Sequence, residues 1–206
     1  MLYLAPIIAF LLGSIPFGLL IAKSQGINIR EHGSGNIGAT NVLRVVGKKF
    51  GISCFILDFL KGLLPIIITR QFIFPYADAS VDMKNLFIVI TGLCSILGHN
   101  YSPWVGFKGG KGIATSAGAL SGLMPVGLPI LLLVWFLLFK VTRYVSVASI
   151  GAALALPIMS ITGSIVHGKV ANGTWNIPLF IFCVLIALMA VWKHRSNIKN
   201  LSLIHI

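Results

Sequence analysis

IATSAGALSGLMPVGLPILLLVWFLLF, residues 113–139, runs without a single charge from Ile113 to Phe139. A helix crosses the hydrocarbon core of a bilayer in about 20 residues. The stretch is therefore long for one crossing and short for two. Pro125 and Pro129 lie near its middle, and proline, which has no N–H to donate, kinks or ends a helix. One kinked helix or two short helices turning at Met124-Pro125 both fit. Charge decides between them. Lys108 and Lys111 precede the stretch and Lys140 and Arg143 follow it. Cytoplasmic loops collect Lys and Arg, so both flanks belong on the cytoplasmic side and an even number of crossings separates them. The expectation is two short helices.

The rest of the chain repeats this pattern. Apolar stretches occur near 2–22, 51–69, 85–98, 126–139, 144–165 and 177–192, besides 113–124. Twelve of the sixteen Lys and Arg fall in 23–49, 99–112, 140–143 and 193–199, all cytoplasmic by the same rule. The fold expected is an all-α polytopic membrane protein with about seven transmembrane helices, its N-terminus outside and its C-terminus cytoplasmic. The first cation is Lys23, so 2–22 reads as a retained helix and not as a cleaved signal peptide.

Composition agrees. Of 206 residues, 57% are hydrophobic and 10% charged, with a mean hydropathy of +0.96; soluble domains carry about 25% charged residues. Disorder, a nucleic-acid module and a disulfide scaffold are poor fits. The formal charge of +12 reads first as loop topology, not as a nucleic-acid partner. Cys54, Cys94 and Cys183 sit in apolar runs without a CxxC pair and read as buried structural thiols.

Topology does not require the Gly, Ser, Asn and His that crowd the cytoplasmic loops. Gly33-Ser34-Gly35-Asn36-Ile37-Gly38-Ala39-Thr40-Asn41, followed by Arg44, can turn its backbone N–H groups toward one point, as anion-binding concavities do. Ser34, Asn36, Thr40 and Asn41 add neutral partners, and Arg44 offers a bidentate fork. A second loop runs from Gly98-His99-Asn100 to Gly106-Phe107-Lys108-Gly109-Gly110-Lys111-Gly112 and enters a helix at Ile113-Ala114-Thr115. Amides, helix dipole and two lysines then converge, as at a phosphate site. It is not a Walker A loop: Val105 stands where its first Gly belongs, and Gly112 replaces the hydroxyl residue after the Lys. Arg143-Tyr144-Val145-Ser146 and His194-Arg195-Ser196-Asn197 complete the cytoplasmic polar set.

Glu31 is the only acid in a cytoplasmic loop, so no carboxylate pair is offered to Mg²⁺. The expectation is no metal and no cofactor. Asp58 and Lys61, three apart within one span, should pair to lower each other's burial cost. A transporter would carry ionisable groups along several spans, and a phosphatidyl-alcohol transferase would need a cluster of Asp residues. Neither pattern is present.

GSGNIGATN with Arg44, GHNYSPWVGFKGGKGIAT, RYVS and the terminal HRSN together resemble the PlsY family, bacterial membrane acyltransferases that use acyl phosphate and glycerol 3-phosphate. The likeness runs from about Gly13 to Asn200. It implies seven helices in the bacterial inner membrane, with an active site facing the cytoplasm. It also implies lysophosphatidic acid as product and, as a partner, an enzyme that makes acyl phosphate. By this resemblance Ser34, Arg44, Lys111 and Ser146 surround the reacting phosphate and carbonyl, and His194 and Asn197 hold the glycerol phosphate. Asn36, Thr40, Asn41, His99, Asn100, Lys108, Gly109, Gly110, Gly112 and Thr115 complete the cradle. His99 or His194 can take the hydroxyl proton, as a group titrating near 6.5. The resemblance also allows the departing phosphate to take it, and that reading is favoured.

Residues 1–200 are expected to form one integral-membrane domain. Family members usually continue past this point with a basic stretch and a Gly-x-Glu, whereas Leu201-Ser202-Leu203-Ile204-His205-Ile206 also corresponds to one reading frame of a sequencing-adapter end. Residues 201–206 are expected to be a non-native tail.

Overall fold

The computed structural model describes residues 2–203, and side chains for 2–199. No strand occurs among the described residues. The helices are α1 (Leu4–Ser14), α2 (Phe17–Ser24), α3 (Ala39–Val45), α4 (Lys48–Ile68), α5 (Val81–Asn100), α6 (Ile113–Leu123), α7 (Gly127–Thr142), α8 (Val145–Val166), α9 (Ile177–Lys193) and α10 (Arg195–Leu203). The expected tail begins within α10; its last three residues, 204–206, lie outside the described residues.

Among the described residues, four helical stretches are long and apolar enough to cross a membrane: Leu4–Ser24, Lys48–Tyr76, Val81–Val105 and Val145–Val166. Three shorter apolar helices, Ile113–Leu123, Gly127–Thr142 and Ile177–Lys193, account for the remaining expected stretches. Residues 113–139 resolve as two helices, with the interruption at Met124-Pro125. Large apolar side chains such as Ile130, Leu133, Phe136 and Leu137 on α7 are exposed, a surface suited to lipid and not to water.

The backbone groups into two compact units, Met1–Leu123 and Met124–Ile206. In the first, α1 packs on α5 and α4 on α6. Both contacts are closed by glycine. A Cβ on Gly98 would strike the Phe10 carbonyl, and one on Gly62 or Gly118 would strike the backbone at Thr115 or Phe59. Such small-residue contacts let membrane helices approach where no hydrophobic force draws them together.

Two prolines create the polar problem that this unit solves. Pro16 offers no N–H to the Leu12 carbonyl, and the chain turns extended at Ile15 before α2 begins. The carbonyls freed at the break find side chains: Ser102 Oγ donates to Ser14 O at 2.6 Å, and Lys61 Nζ to Ile15 O at 2.8 Å. Pro65 removes the N–H that the Lys61 carbonyl would have accepted from, and Ser95 Oγ donates there instead at 2.6 Å. Within lipid each unmet backbone group costs several kcal/mol. Lys61 Nζ also lies 2.8 Å from Asp58 Oδ1, the pairing expected from their spacing.

In the second unit α7 packs on α8 and α8 on α9. Trp135 Nε1 donates to Ser149 Oγ at 3.1 Å across the first contact. Consecutive packed helices joined by the short loop 167–176 run antiparallel, so the start of α8 and the end of α9 share one end of this unit.

The glycines separate packing from propensity. Replacing Gly62 or Gly118 by Ala overpacks the α4–α6 contact and should cost about 1–3 kcal/mol. Gly163→Ala on α8 meets open space and should be neutral or stabilising by up to about 1 kcal/mol. Thermal unfolding in detergent checks both: the first two should lower the midpoint and the third should not.

Candidate active site

The first glycine loop is wound around Asn41. This residue on α3 is 2% exposed, and its Oδ1 accepts from the Ser34 amide at 2.9 Å. Its Nδ2 faces the carbonyls of Ile29, His32 and Asn36 at 3.3, 3.0 and 2.9 Å. Asn36 Oδ1 accepts from the Gly38 amide at 2.9 Å, shaping the entry to α3. Gly33 has φ +61°, and a side chain there would strike Asn41. Asn41 thus builds the loop from below, while Ser34, Thr40 and Arg44 are exposed. Thr40 and Arg44, four apart on α3, share one face. The loop presents a hydroxyl and a guanidinium side by side.

The second loop is hung on the end of α5. The Gly110 amide donates to His99 O at 3.1 Å. A Cβ at Gly109 would strike the His99 backbone, at Gly110 the His99 ring, and at Gly112 (φ +78°) the Asn100 amide. These glycines are therefore the places where backbone lies directly on α5. Gly112 O caps α6 by accepting from Ser116 N at 2.7 Å. Thr115 is fully buried in the first turn of α6, and its Oγ1 has no hydrogen-bond partner. Lys108 is exposed and Lys111 half-buried. Burial pushes the Lys111 ammonium below the ordinary lysine value of 10.5, because a charge loses hydration there.

One side chain ties the two loops together. Arg30 Nη2 donates to the carbonyls of Val105 at 3.1 Å and Lys108 at 3.3 Å. The same residue is the middle of a short 3₁₀ turn, Ile29–Glu31, and its amide donates to the capping Asn28 side chain. Arg30 was not among the residues that the sequence singled out. Its only signal was a position just before the first glycine loop, and nothing in the sequence points it at residues 105 and 108.

The second unit gathers its polar residues at the shared end of α8 and α9. Ser146 is buried in the first turn of α8, and Arg143 adopts a left-handed turn, φ +62°, between α7 and α8. His194 is 3% exposed. Its Nδ1 lies 2.8 Å from the Ala190 carbonyl. A carbonyl can only accept, so Nδ1 carries a hydrogen. Arg195 stacks on Trp192, 4.6 Å from the ring centroid. Asn197 follows on the first turn of α10.

The sequence profile of the glycerol-3-phosphate acyltransferase family matches residues 3–203. The chain belongs to this family. The family's protein from Geotalea daltonii is 42% identical over 193 residues, covering 94% of this chain and 90% of its own length. The Aquifex aeolicus protein is 40% identical, covering 95% and 92%. A crystal structure of PlsY, an integral membrane glycerol 3-phosphate acyltransferase in its glycerol 3-phosphate form, superposes with a TM-score of 0.82 at 38% identity. It covers 97% of this chain and 91% of its own. Family membership makes the chain an acyltransferase of phospholipid synthesis and a multi-pass membrane protein. The two glycine loops and the HRSN segment therefore lie within a family-wide match, and the tie through Arg30 belongs to the enzyme's frame.

Two outcomes follow for the loops. Asn41→Leu keeps the volume and removes the hub's bonds to Ser34, Ile29, His32 and Asn36, so binding of inorganic phosphate should fall at least tenfold, as for loss of a buried hydrogen-bonded network worth more than about 1.4 kcal/mol. Titration calorimetry with the purified protein reads this directly. Lys111 adds a pH signature. Above about pH 8 a phosphomonoester is a constant dianion, so affinity should fall as pH rises through the lowered Lys111 pKa, below the ordinary 10.5. In Lys111→Arg, which does not titrate, that alkaline decline should vanish.

Proposed function

We propose that this enzyme transfers a fatty acyl group from acyl phosphate to glycerol 3-phosphate, releasing 1-acyl-glycerol 3-phosphate and inorganic phosphate. The observation that carries this reading is the pair of glycine loops joined through Arg30, beside Arg44 and a half-buried Lys111. Both substrates bring a phosphate, and two cationic backbone loops suit two phosphates. The PlsY structures in a glycerol 3-phosphate form and a lysophosphatidic acid form support the acceptor and the product.

Acyl phosphate is a mixed anhydride, so its phosphate is a good leaving group and no protein nucleophile is required. A hydroxyl oxygen of glycerol 3-phosphate attacks the acyl carbonyl carbon. The new ester C–O bond forms as the carbonyl C–O bond to phosphate breaks, and the departing phosphate takes the hydroxyl proton. Lys111, Arg44 and the loop amides neutralise charge gathering on that phosphate, with Ser34 and Ser146 as hydroxyl partners. Such preorganised charge stabilisation can be worth several kcal/mol. His194 and Asn197 hold the glycerol 3-phosphate. Thr115, Asn100 and Lys108 complete the phosphate cradle.

Seven crossings place the N-terminus outside and the C-terminus in the cytoplasm of a bacterial cell, with the loops at the cytoplasmic face of the inner membrane. The twelve cations in 23–49, 99–112, 140–143 and 193–199 support this orientation. The acyl donor then arrives from a cytoplasmic enzyme that makes acyl phosphate.

The test is a donor comparison on purified protein with glycerol 3-phosphate and no added metal. Palmitoyl phosphate should yield lysophosphatidic acid while palmitoyl-CoA and palmitoyl-acyl carrier protein do not, and Lys111→Ala should abolish the product. Equal use of the thioesters would overturn the donor assignment. His194→Ala should raise KM for glycerol 3-phosphate at least tenfold with turnover at saturation largely kept, the pattern of a lost binding contact. Loss of turnover with KM unchanged would make His194 the base.

A further inference from the structure

Behind the second loop lies a buried triad that the reaction above does not use. Asp58, Lys61 and His99 are 2, 5 and 5% exposed. Lys61 Nζ sits 2.8 Å from Asp58 Oδ1, and His99 Nδ1 lies 3.6 Å from the same oxygen. The first is an ion-pair distance and the second an electrostatic contact longer than a hydrogen bond. Lys61 is itself pinned to the Ile15 carbonyl at the α1–α2 break, so the carboxylate faces His99 from a fixed post. On its other side, the His99 carbonyl accepts from the Gly110 amide, and the ring's Nε2 occupies the space where a Cβ at Gly110 would lie.

Ionisable residues inside a membrane span are expensive and mark function more often than they stabilise. If the pair served folding alone, apolar residues would do as well. The third partner gives it a use. We propose that Asp58 is a positioning residue acting through His99: anchored by Lys61, it fixes the ring against which the Gly109–Gly110 turn is seated, and so sets the phosphate loop. This deepens the acyltransferase reading and rests on it. Asp58 faces Nδ1–H, directing Nε2 toward the loop. A ring turned over or displaced would free the backbone of residues 109–111, and the loop amides would lose their aim.

The test removes both charges together, so that no lone charge stays buried. Asp58→Asn with Lys61→Gln should unfold close to the temperature of the unaltered protein. Its kcat/KM should fall about tenfold, because the same loop amides bind the phosphate and stabilise the charge it gathers. In a His99→Gln background the same pair of changes should add less than about twofold, because the path through His99 is already cut. An unchanged kcat/KM in the charge-free variant, or a full further tenfold in the His99→Gln background, would overturn the proposal. Nitrogen NMR of histidine-labelled unaltered protein gives a reading that needs no variant. His99 should carry its proton on Nδ1; a bare Nδ1 would contradict the proposal whether or not acyl phosphate proves to be the donor.

Discussion

The first unit depends on side chains that meet backbone carbonyls left open by proline, and Lys61 lies at their centre. Lys61 Nζ meets the Asp58 carboxylate and the Ile15 carbonyl at once, and its own carbonyl is met by Ser95. The constraint behind this is simple. In a bilayer, water cannot satisfy a carbonyl that proline has orphaned, so a side chain must. Pro16 and Pro65 each create such carbonyls, and Lys61, Ser95 and Ser102 answer them. Three helical segments, α1, α4 and α5, are thereby tied together at the level where the glycine loops begin. The Ile15 carbonyl also accepts from the Phe17 amide at 3.1 Å, so Lys61 adds a second donor there.

The loops inherit their shape from that frame. The Gly106–Gly112 segment lies against the end of α5, close enough that only glycine fits at residues 109, 110 and 112. The first loop coils on the Asn41 amide, and Arg30 links its base to the carbonyls of the second. Glycine is used here for close approach as much as for conformational freedom. Its absence of a side chain leaves backbone N–H groups as the main donors, with Arg44 and Lys111 supplying charge. Chemistry that needs an anion held firmly and a leaving group stabilised is what such a surface provides.

Much of this was legible beforehand. Apolar stretches and loop charges placed the helices, and the division at Met124-Pro125 followed from the cations flanking 113–139. The glycine loops stood out because polar residues are costly in so apolar a chain. The Asp58–Lys61 pair was readable from one-turn spacing. Other features were not. The break at Ile15-Pro16 was missed because 2–22 was read by hydropathy, which is blind to backbone hydrogen bonds, although Pro16 itself carries the signal. Asn41 read as one polar residue among several, although it is a buried hub whose partners, from residue 29 to residue 36, are chosen by the loop's path. Arg30 and His99 take their meaning from contacts with residues 105 and 58, and local patterns carry no information about such distant pairs. The α3 helix, only Ala39–Val45, is too short for periodicity to reveal.

The central claim is that this face of the enzyme recognises phosphate through loop amides and cations. Equilibrium binding of glycerol 3-phosphate, compared with glycerol, to the purified protein in the absence of any acyl donor tests it most directly, followed by amide hydrogen exchange over residues 29–45 and 99–115. The account predicts that glycerol 3-phosphate binds at least about a hundredfold more tightly than glycerol, as loss of a charge-assisted contact network implies, and that exchange slows in both loops on binding. Equal affinity for the two, or protection confined to other parts of the chain, would contradict it.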